Sequence, residues 1–332
     1  MLSFAGRITL TKAVLSSIPV HTMSSIILPA STLEGLDKMS RAFVWGSTQK
    51  KKKLHLISWK RVCAPKLQGG LGLRKAKDMN KALVSKLGWR LLNEKESLWA
   101  RVVRCKYKVG TVSNSSWCKP KSTWSSTWRS IGVGLREVVL RGFGWVPGDG
   151  RSIRFWADRW LLNKPLLEWV EGQLPMAEQE RLASDYWREG VGWDMGRISC
   201  FLPEKLLLRL TAVVLGGGPG AADTLSWSGT ENGEFTVGSA YSLLMEGGSQ
   251  TQDMERFFSR IWRVLAPERV RVFLWLVGNQ AILTNVERAR RHMGDTDVCQ
   301  VCRGAKETNY TCPSGLSSNE WYLVTVSAYP GT

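Results

Sequence analysis

The residues with clear capacity for chemistry are few. Cys299-Gln300-Val301-Cys302 sets two thiols at the spacing with which thiolates grip one edge of a tetrahedral zinc ion. A closed structural site takes four ligands. Downstream the sequence offers Cys312 alone, and no histidine follows His292, so Cys299, Cys302, Cys312 and His292 are the four-ligand set that can be written. The competing reading is a pair of buried or free thiols at a turn. Phosphoryl transfer needs two or more carboxylates converging on Mg²⁺. No Asp-Asp pair occurs; Asp149 reads as a turn former and Asp158 as a neighbour of Arg159. None of the histidines, His21, His55 and His292, lies beside a nucleophile elbow. Gly216-Gly217-Gly218-Pro219-Gly220 lacks the Lys-Ser/Thr of a phosphate loop. The expectation is a chain with no catalytic residues and no magnesium site, and zinc at an incomplete site is its one candidate cofactor.

Charge supplies the other chemistry. The net charge is +18, and it is unevenly placed: residues 1–110 hold 22 Lys and Arg against 5 Asp and Glu, whereas residues 111–332 hold 24 against 23. An excess confined to one third of a chain is a local electrostatic footprint, and phosphate backbones are its usual partner. The candidate contacts are Lys50, Lys51, Lys52, Lys53, Lys60, Arg61, Lys66, Arg74, Lys75 and Lys77. They fall between expected helices, where they reach phosphates without reading bases. This implies sequence-tolerant, salt-sensitive binding of DNA or RNA. Trp45 and Trp59 flank the lysine run and serve either as stacking platforms or as core anchors. No signal peptide and no run of 18 apolar residues occurs, so an intracellular place, nucleus or cytoplasm, and no membrane partner are expected. Seven cysteines, an odd number and widely spaced except for Cys299 and Cys302, argue against a disulfide framework.

The elements that must position these residues are mostly helical. Ile8, Val14, Leu15 and Ile18 mark a first helix, ended by Pro19; Ser31-Thr32-Leu33-Glu34 is a capping box opening a second, with Leu33, Leu36, Met39 and Phe43 on its apolar stripe. Met79, Leu83, Leu87 and Leu91 line a third, and a fourth spans about 97–106. The period then changes. Gly142–Trp145 and Ile153–Trp156 around Pro147–Gly150 read as one hairpin, and Leu225–Trp227 with Phe235–Val237 around Asn232-Gly233 as another. Residues 163–222 are weakly patterned. Helices return over 255–293, with Thr284-Asn285-Val286-Glu287 as a further capping box. The fold class is therefore α+β, mainly helical: a basic helical N-terminal region, a small β-hairpin-containing middle, and a helical C-terminal module ending in a Cys-x-x-Cys turn.

Several segments together resemble the C-terminal part of the reverse transcriptase of plant LINE-type (non-LTR) retrotransposons. They are Leu2–Leu10 through Ser17-Ile18-Pro19, Arg41-Ala42-Phe43-Val44-Trp45-Gly46, Gly69-Gly70-Leu71-Gly72-Leu73-Arg74, Gly148-Asp149-Gly150 with Phe155-Trp156-Ala157-Asp158-Arg159-Trp160, Phe201-Leu202-Pro203-Glu204, Gly233–Val237 with Ser239-Ala240-Tyr241, and Cys299–Cys302 with Glu307-Thr308. The resemblance covers about residues 2–309. It implies that the polymerase palm lies upstream, that a ribonuclease H domain follows elsewhere, and that both are missing here. It also implies a thumb-like role for residues 1–46 and a zinc-binding module over 255–312. The family's histidine and last cysteine fall at Thr311 and Gly315, with Cys312 out of register, so the module is degenerate.

The expected organisation is a basic, helical thumb-like region over 1–110, a connector over 111–130, a hairpin-containing region over 131–250, the zinc-binding-like module over 255–312, and a disordered or frameshifted tail over 313–332. Three readings follow. The first is a non-catalytic retroelement fragment that binds nucleic acid; the second is an accessory part of a reverse transcriptase or ribonuclease H acting in trans with other parts of the retroelement protein; the third is a structural or interaction role, or a pseudogene-like product with none.

Overall fold

The computed structural model describes residues 2–112, 115–216, 221–245, 252–299, 303–304 and 306–308. The chain forms two compact units, one of Met1–Val20, Leu28–Asp78 and Gly247–Thr332, the other of His21–Ile27 and Met79–Glu246. Among the described residues the fold is mainly helical, as the periodicities predict, with two small antiparallel strand pairings.

In the first unit, Ser3 caps helix Phe4–Leu10 by accepting the Gly6 N–H, and the chain runs on through a wider turn over Thr11–Leu15. Helix Ala30–Trp45 starts behind Pro29 without a side-chain cap, one residue ahead of the expected capping box. Met39, placed by spacing on the apolar stripe, is 62% exposed, while Val44 and Trp45 are buried. The helix meets the core through its last turn, where Arg7 Nε donates to the Val44 carbonyl at 3.1 Å. Helices Gln252–Arg263 and Glu268–Gly278 complete this core with Phe258, Ile261, Val272 and Trp275, which lie with Ile8, Val62, Leu71 and Leu73.

Gly69 is a tight point of this packing. Its φ of 79° is left-handed, and a Cβ there would stand 2.5 Å from the Arg61 guanidinium and 2.7 Å from the Phe258 ring. Its carbonyl accepts the Trp275 indole N–H at 2.8 Å.

The second unit is organised by helix Ala76–Asn93, whose residues from Met79 onward belong to it. Leu83 and Leu91 are buried, as their spacing predicts, but so are Asn80, Ala82, Val84 and Ser85, so the helix is covered on most sides. Asn80 Nδ2 donates at 2.8 Å to the carbonyls of both Met23 and Ile26, which ties the short segment 21–27 to it. Helix Ser126–Gly134 crosses it closely: a Cβ on Gly134 would fall 2.7 Å from the Ser85 backbone. Trp124 and Trp128, from the Ser/Trp/Lys-rich stretch, are buried with Leu91 and Leu135.

Both proposed hairpins are corrected. Only the first arm of each is a strand, and the two pair with each other: Phe143–Val146 runs antiparallel to Thr224–Trp227, with Phe143 opposite Trp227 and Val146 opposite Thr224, while Ile153–Trp156 and Phe235–Val237 form no strand and Val237 opens a helix. Two causes are visible. Ile153, Phe155 and Trp156 are all fully buried, so that stretch lacks the half-exposed alternation of a hairpin arm. The Asp223 carboxylate meanwhile accepts the N–H groups of Gly148, Gly150 and Ser152 at 2.7, 3.0 and 2.7 Å, fastening the turn after one strand to the residue before the other. The hairpin of this middle region is instead Trp187–Arg188 with Gly192–Trp193. It sits in the weakly patterned stretch, where Phe155, Trp156, Tyr186 and Trp193 build an aromatic core with Leu206 and Leu210 of helix Glu204–Thr211. Among the described residues no helix is long and apolar enough to cross a membrane.

Candidate nucleic-acid interface

All ten basic candidates fall in the first unit. The lysine run is an ordered turn. Thr48 N donates to the Lys51 carbonyl at 2.9 Å and Thr48 Oγ1 accepts the Lys51 N–H at 3.0 Å, while Ser47 Oγ accepts the Lys53 N–H at 3.0 Å. With the backbone held from within, the side chains of Lys50, Lys51, Lys52 and Lys53 all project into solvent. Beneath them Trp45 is 9% exposed, packed at 5.1 Å on Phe4 and stacked at 5.8 Å on His55. Trp59 also packs against the core. Both are anchors here, not open platforms for bases. Burial and, after it, the Arg41 charge hold the His55 pKa below the ordinary histidine value.

Helix Trp59–Cys63, capped by Ser58 Oγ, carries the next pair. Lys60 is exposed. Arg61 is drawn inward: its Nε donates to Asn279 Oδ1 at 3.0 Å and its guanidinium lies 5.6 Å from the Phe258 ring centre. Burial lowers its pKa, and its contacts make it a clamp between distant segments of the unit. Lys66 opens the turn Lys66–Gln68; its carbonyl accepts the Trp262 indole N–H at 3.2 Å and its ammonium stands 4.2 Å over that ring. Lys12 is a neighbour that sequence reading missed. Burial first, and then the Lys66 charge, lower its pKa against the pull of Glu268.

Arg74 and Lys77 are exposed and Lys75 is half-buried at the start of helix Ala76–Asn93, where Asp37 Oδ1 accepts the Ala76 N–H at 3.1 Å. Burial raises the Asp37 pKa, and Asp78 stands in the first turn of the same helix. Lys50–Lys53, Lys60 and Lys77 form no ion pair with a described carboxylate. The structure thus turns Lys50–Lys53, Lys60, Arg74 and Lys77 outward and ties Arg61 and Lys66 into the packing.

Also missed are Arg256, Arg260 and Arg263, all exposed on helix Gln252–Arg263. Their i, i+4, i+7 spacing was the available signal.

Asp149 and Asp158 of the middle region are spent on structure. Asp158, 5% exposed, accepts the Arg154 backbone N–H at 2.8 Å and its guanidinium at 3.2 Å, so its partner is Arg154, not Arg159. Asp149 accepts the Arg151 N–H at 3.1 Å within its own turn.

Of the zinc candidates, Cys299 is buried; Cys302 and Cys312 lie outside the described residues, as does the expected tail. Thr284 Oγ1 caps helix Asn285–Arg290 as predicted, Asn285 Nδ2 donates to the Val298 carbonyl at 2.9 Å, and Val298 bridges to Lys306. These contacts position a loop in which the Arg303 N–H donates to the Cys299 carbonyl at 2.9 Å. His292 is exposed, with a φ of 55°. No three His, Cys, Asp or Glu side chains converge among the described residues, and Cys299 alone does not make a four-ligand site.

Residues 235–312 match the family described as zinc-binding in reverse transcriptase. A "Putative ribonuclease H protein" of Arabidopsis thaliana is 55% identical over 319 residues, which are 95% of this chain and 52% of that protein, so the chain spans about half of this relative. An "Uncharacterized mitochondrial protein" of the same plant is 32% identical over 149 residues, 45% of this chain and 95% of that protein.

Proposed function

Because the chain belongs to a family of reverse-transcriptase-related proteins with a zinc-binding region, we propose that it binds the phosphate backbone of DNA or RNA through the basic surface of its first unit. The observation that carries this reading is the Thr48–Lys51 turn, which holds four consecutive lysines outward on a fixed backbone with no described carboxylate against them. Ammoniums so placed make phosphate contacts that position without reading bases. The expected affinity is on the order of micromolar and falls steeply with salt. A labelled duplex titrated between roughly 50 and 200 mM salt tests it, and affinity that ignores salt over that range refutes it. Neutralising Lys50–Lys53 together should flatten the slope of log K against log salt by about 0.9 for each phosphate that is no longer neutralised.

We further infer a non-catalytic role for these residues, of the LINE type that the motifs resemble. Asp149 and Asp158 are committed to backbone and guanidinium partners, which supports the reading. A second reading is favoured by the 52% coverage of the relative named for ribonuclease H: the chain is an accessory part of a larger enzyme. Mg²⁺-dependent nuclease or polymerase activity of the purified chain decides for an enzyme. The zinc module is read as degenerate. Equimolar zinc in the purified protein, lost in Cys299→Ser, overturns that.

A further inference from the structure

Helix Gln252–Arg263 buries Phe258 and Ile261 and fastens Trp262 to Lys66. At 100° per residue, Arg256, Arg260 and Arg263 fall on the face directly opposite, and all three are exposed. Elsewhere in the chain many arginines are paired: Arg90 with Glu94, Arg154 with Asp158, Arg197 with Glu178, Arg271 with Glu268, Arg290 and Arg291 with Glu287. Asp253 and Glu255 stand on this same helix, yet neither pairs with the three. Like charges at i, i+4 and i, i+3 oppose helix formation. The helix C-terminus eases the charge of Arg260 and Arg263, but the three still present a local positive patch that an anionic partner neutralises.

We propose that this arginine face is a second phosphate-backbone contact for nucleic acid, independent of zinc. It rests on the binding reading above and extends that surface within the same unit, since Lys66 lies on the Trp262 ring of this very helix. From Arg256 to Arg263 the helix rises about 10 Å at roughly 1.5 Å per residue. One nucleic-acid strand sets about three phosphates in that length at roughly 3.4 Å each. Guanidinium forks take phosphate oxygens two at a time, which a lysine stripe cannot do. The face holds Gln252, Asp253, Ser259 and the three arginines, with no apolar side chain and a net positive charge. Protein interfaces depend on a buried aromatic or apolar centre, which this face lacks.

The test uses the full chain, a short fluorescein-labelled DNA duplex and a salt series with EDTA present throughout. Replacing the three arginines together by glutamine (R256Q, R260Q, R263Q) keeps helix propensity at exposed positions. The slope of log K against log salt should then fall by about 2.7, and the wild-type to variant affinity ratio should shrink about 40-fold between roughly 50 and 200 mM. The corresponding triple lysine variant should keep most of the slope. A wild-type chain that binds but shares its slope with the glutamine variant overturns this proposal alone; a wild-type chain that does not bind overturns the underlying reading as well. Polyglutamate binding as tightly as the duplex, with the same dependence on these arginines, overturns the choice of nucleic acid.

Discussion

Asp223 gives the sharpest test of how the second unit is assembled. One carboxylate accepts three backbone N–H groups, from Gly148 and Gly150 at Oδ1 and from Ser152 at Oδ2. In Asp223→Ala all three donors are left without their acceptor. Gly148 and Gly150 are buried, so each orphaned donor costs about 1–3 kcal/mol. Ser152 is exposed and returns to water at little cost. The expected loss is therefore about 2–6 kcal/mol. Asp223→Asn keeps one acceptor oxygen, which can still serve the two glycines, and gives up the charge and the Ser152 bond. Its loss should be the smaller, about 1–2 kcal/mol. Urea unfolding of the full chain followed by tryptophan fluorescence measures both; with two compact units the transition need not be two-state, so the shift belongs to the step that reports the second unit. Equal losses in the two variants, or a loss below about 0.5 kcal/mol in the alanine variant, would refute the idea that this carboxylate fastens the two strands.

Three further outcomes follow from the packing. Gly134→Ala should destabilise by about 1–3 kcal/mol despite the better helix former, because the added Cβ meets Ser85 backbone atoms at 2.7 Å; a thermal melt with unchanged midpoint would contradict the close crossing. Trp275→Phe should cost about 1 kcal/mol for the missing bond to the Gly69 carbonyl and Trp275→Ala about 3–5 kcal/mol, read by urea denaturation. His55 should titrate by NMR below its ordinary value of 6.5. Because the folded chain then binds fewer protons than the unfolded one, this group's contribution to stability is complete above 6.5 and is lost as pH falls through the folded midpoint; a midpoint above 6.5 would reverse the sign.

What the sequence makes legible is local. Leu83 and Leu91 announce a helix because a 3.6-residue period is written in the chain itself, and Thr284 announces a cap because its acceptor and the Glu287 N–H are three residues apart. Strand partners are another matter. Phe143 and Trp227 meet across more than eighty residues of sequence, and no period connects them. The same holds for the clamp at Arg61, whose partner Asn279 is 218 residues away, and for Asp223, whose three donors lie more than seventy residues upstream. Composition groups Arg61 with the outward lysines because charge is visible in sequence while burial is not. The aromatic core around Phe155 and Tyr186 goes unread for a related reason: its residues come from short segments of irregular backbone, each too brief to show a period.

The helices ahead of Cys299 show what the zinc module depends on. In a small metal-folded domain the ligand bonds supply most of the folding free energy, and the apo chain is unfolded. Here Phe258, Ile261, Val272 and Trp275 are buried among Ile8, Val62, Leu71 and Leu73, and the Trp262 and Trp275 N–H groups are satisfied by the Lys66 and Gly69 carbonyls. Burying side chains of this size contributes about 1.5–3 kcal/mol apiece toward holding these helices in the core. The Gly69–Leu73 turn and these helices therefore constrain one another directly. Loss of Gly69 or Trp275 would open the core on which the basic turn and the arginine face are both mounted.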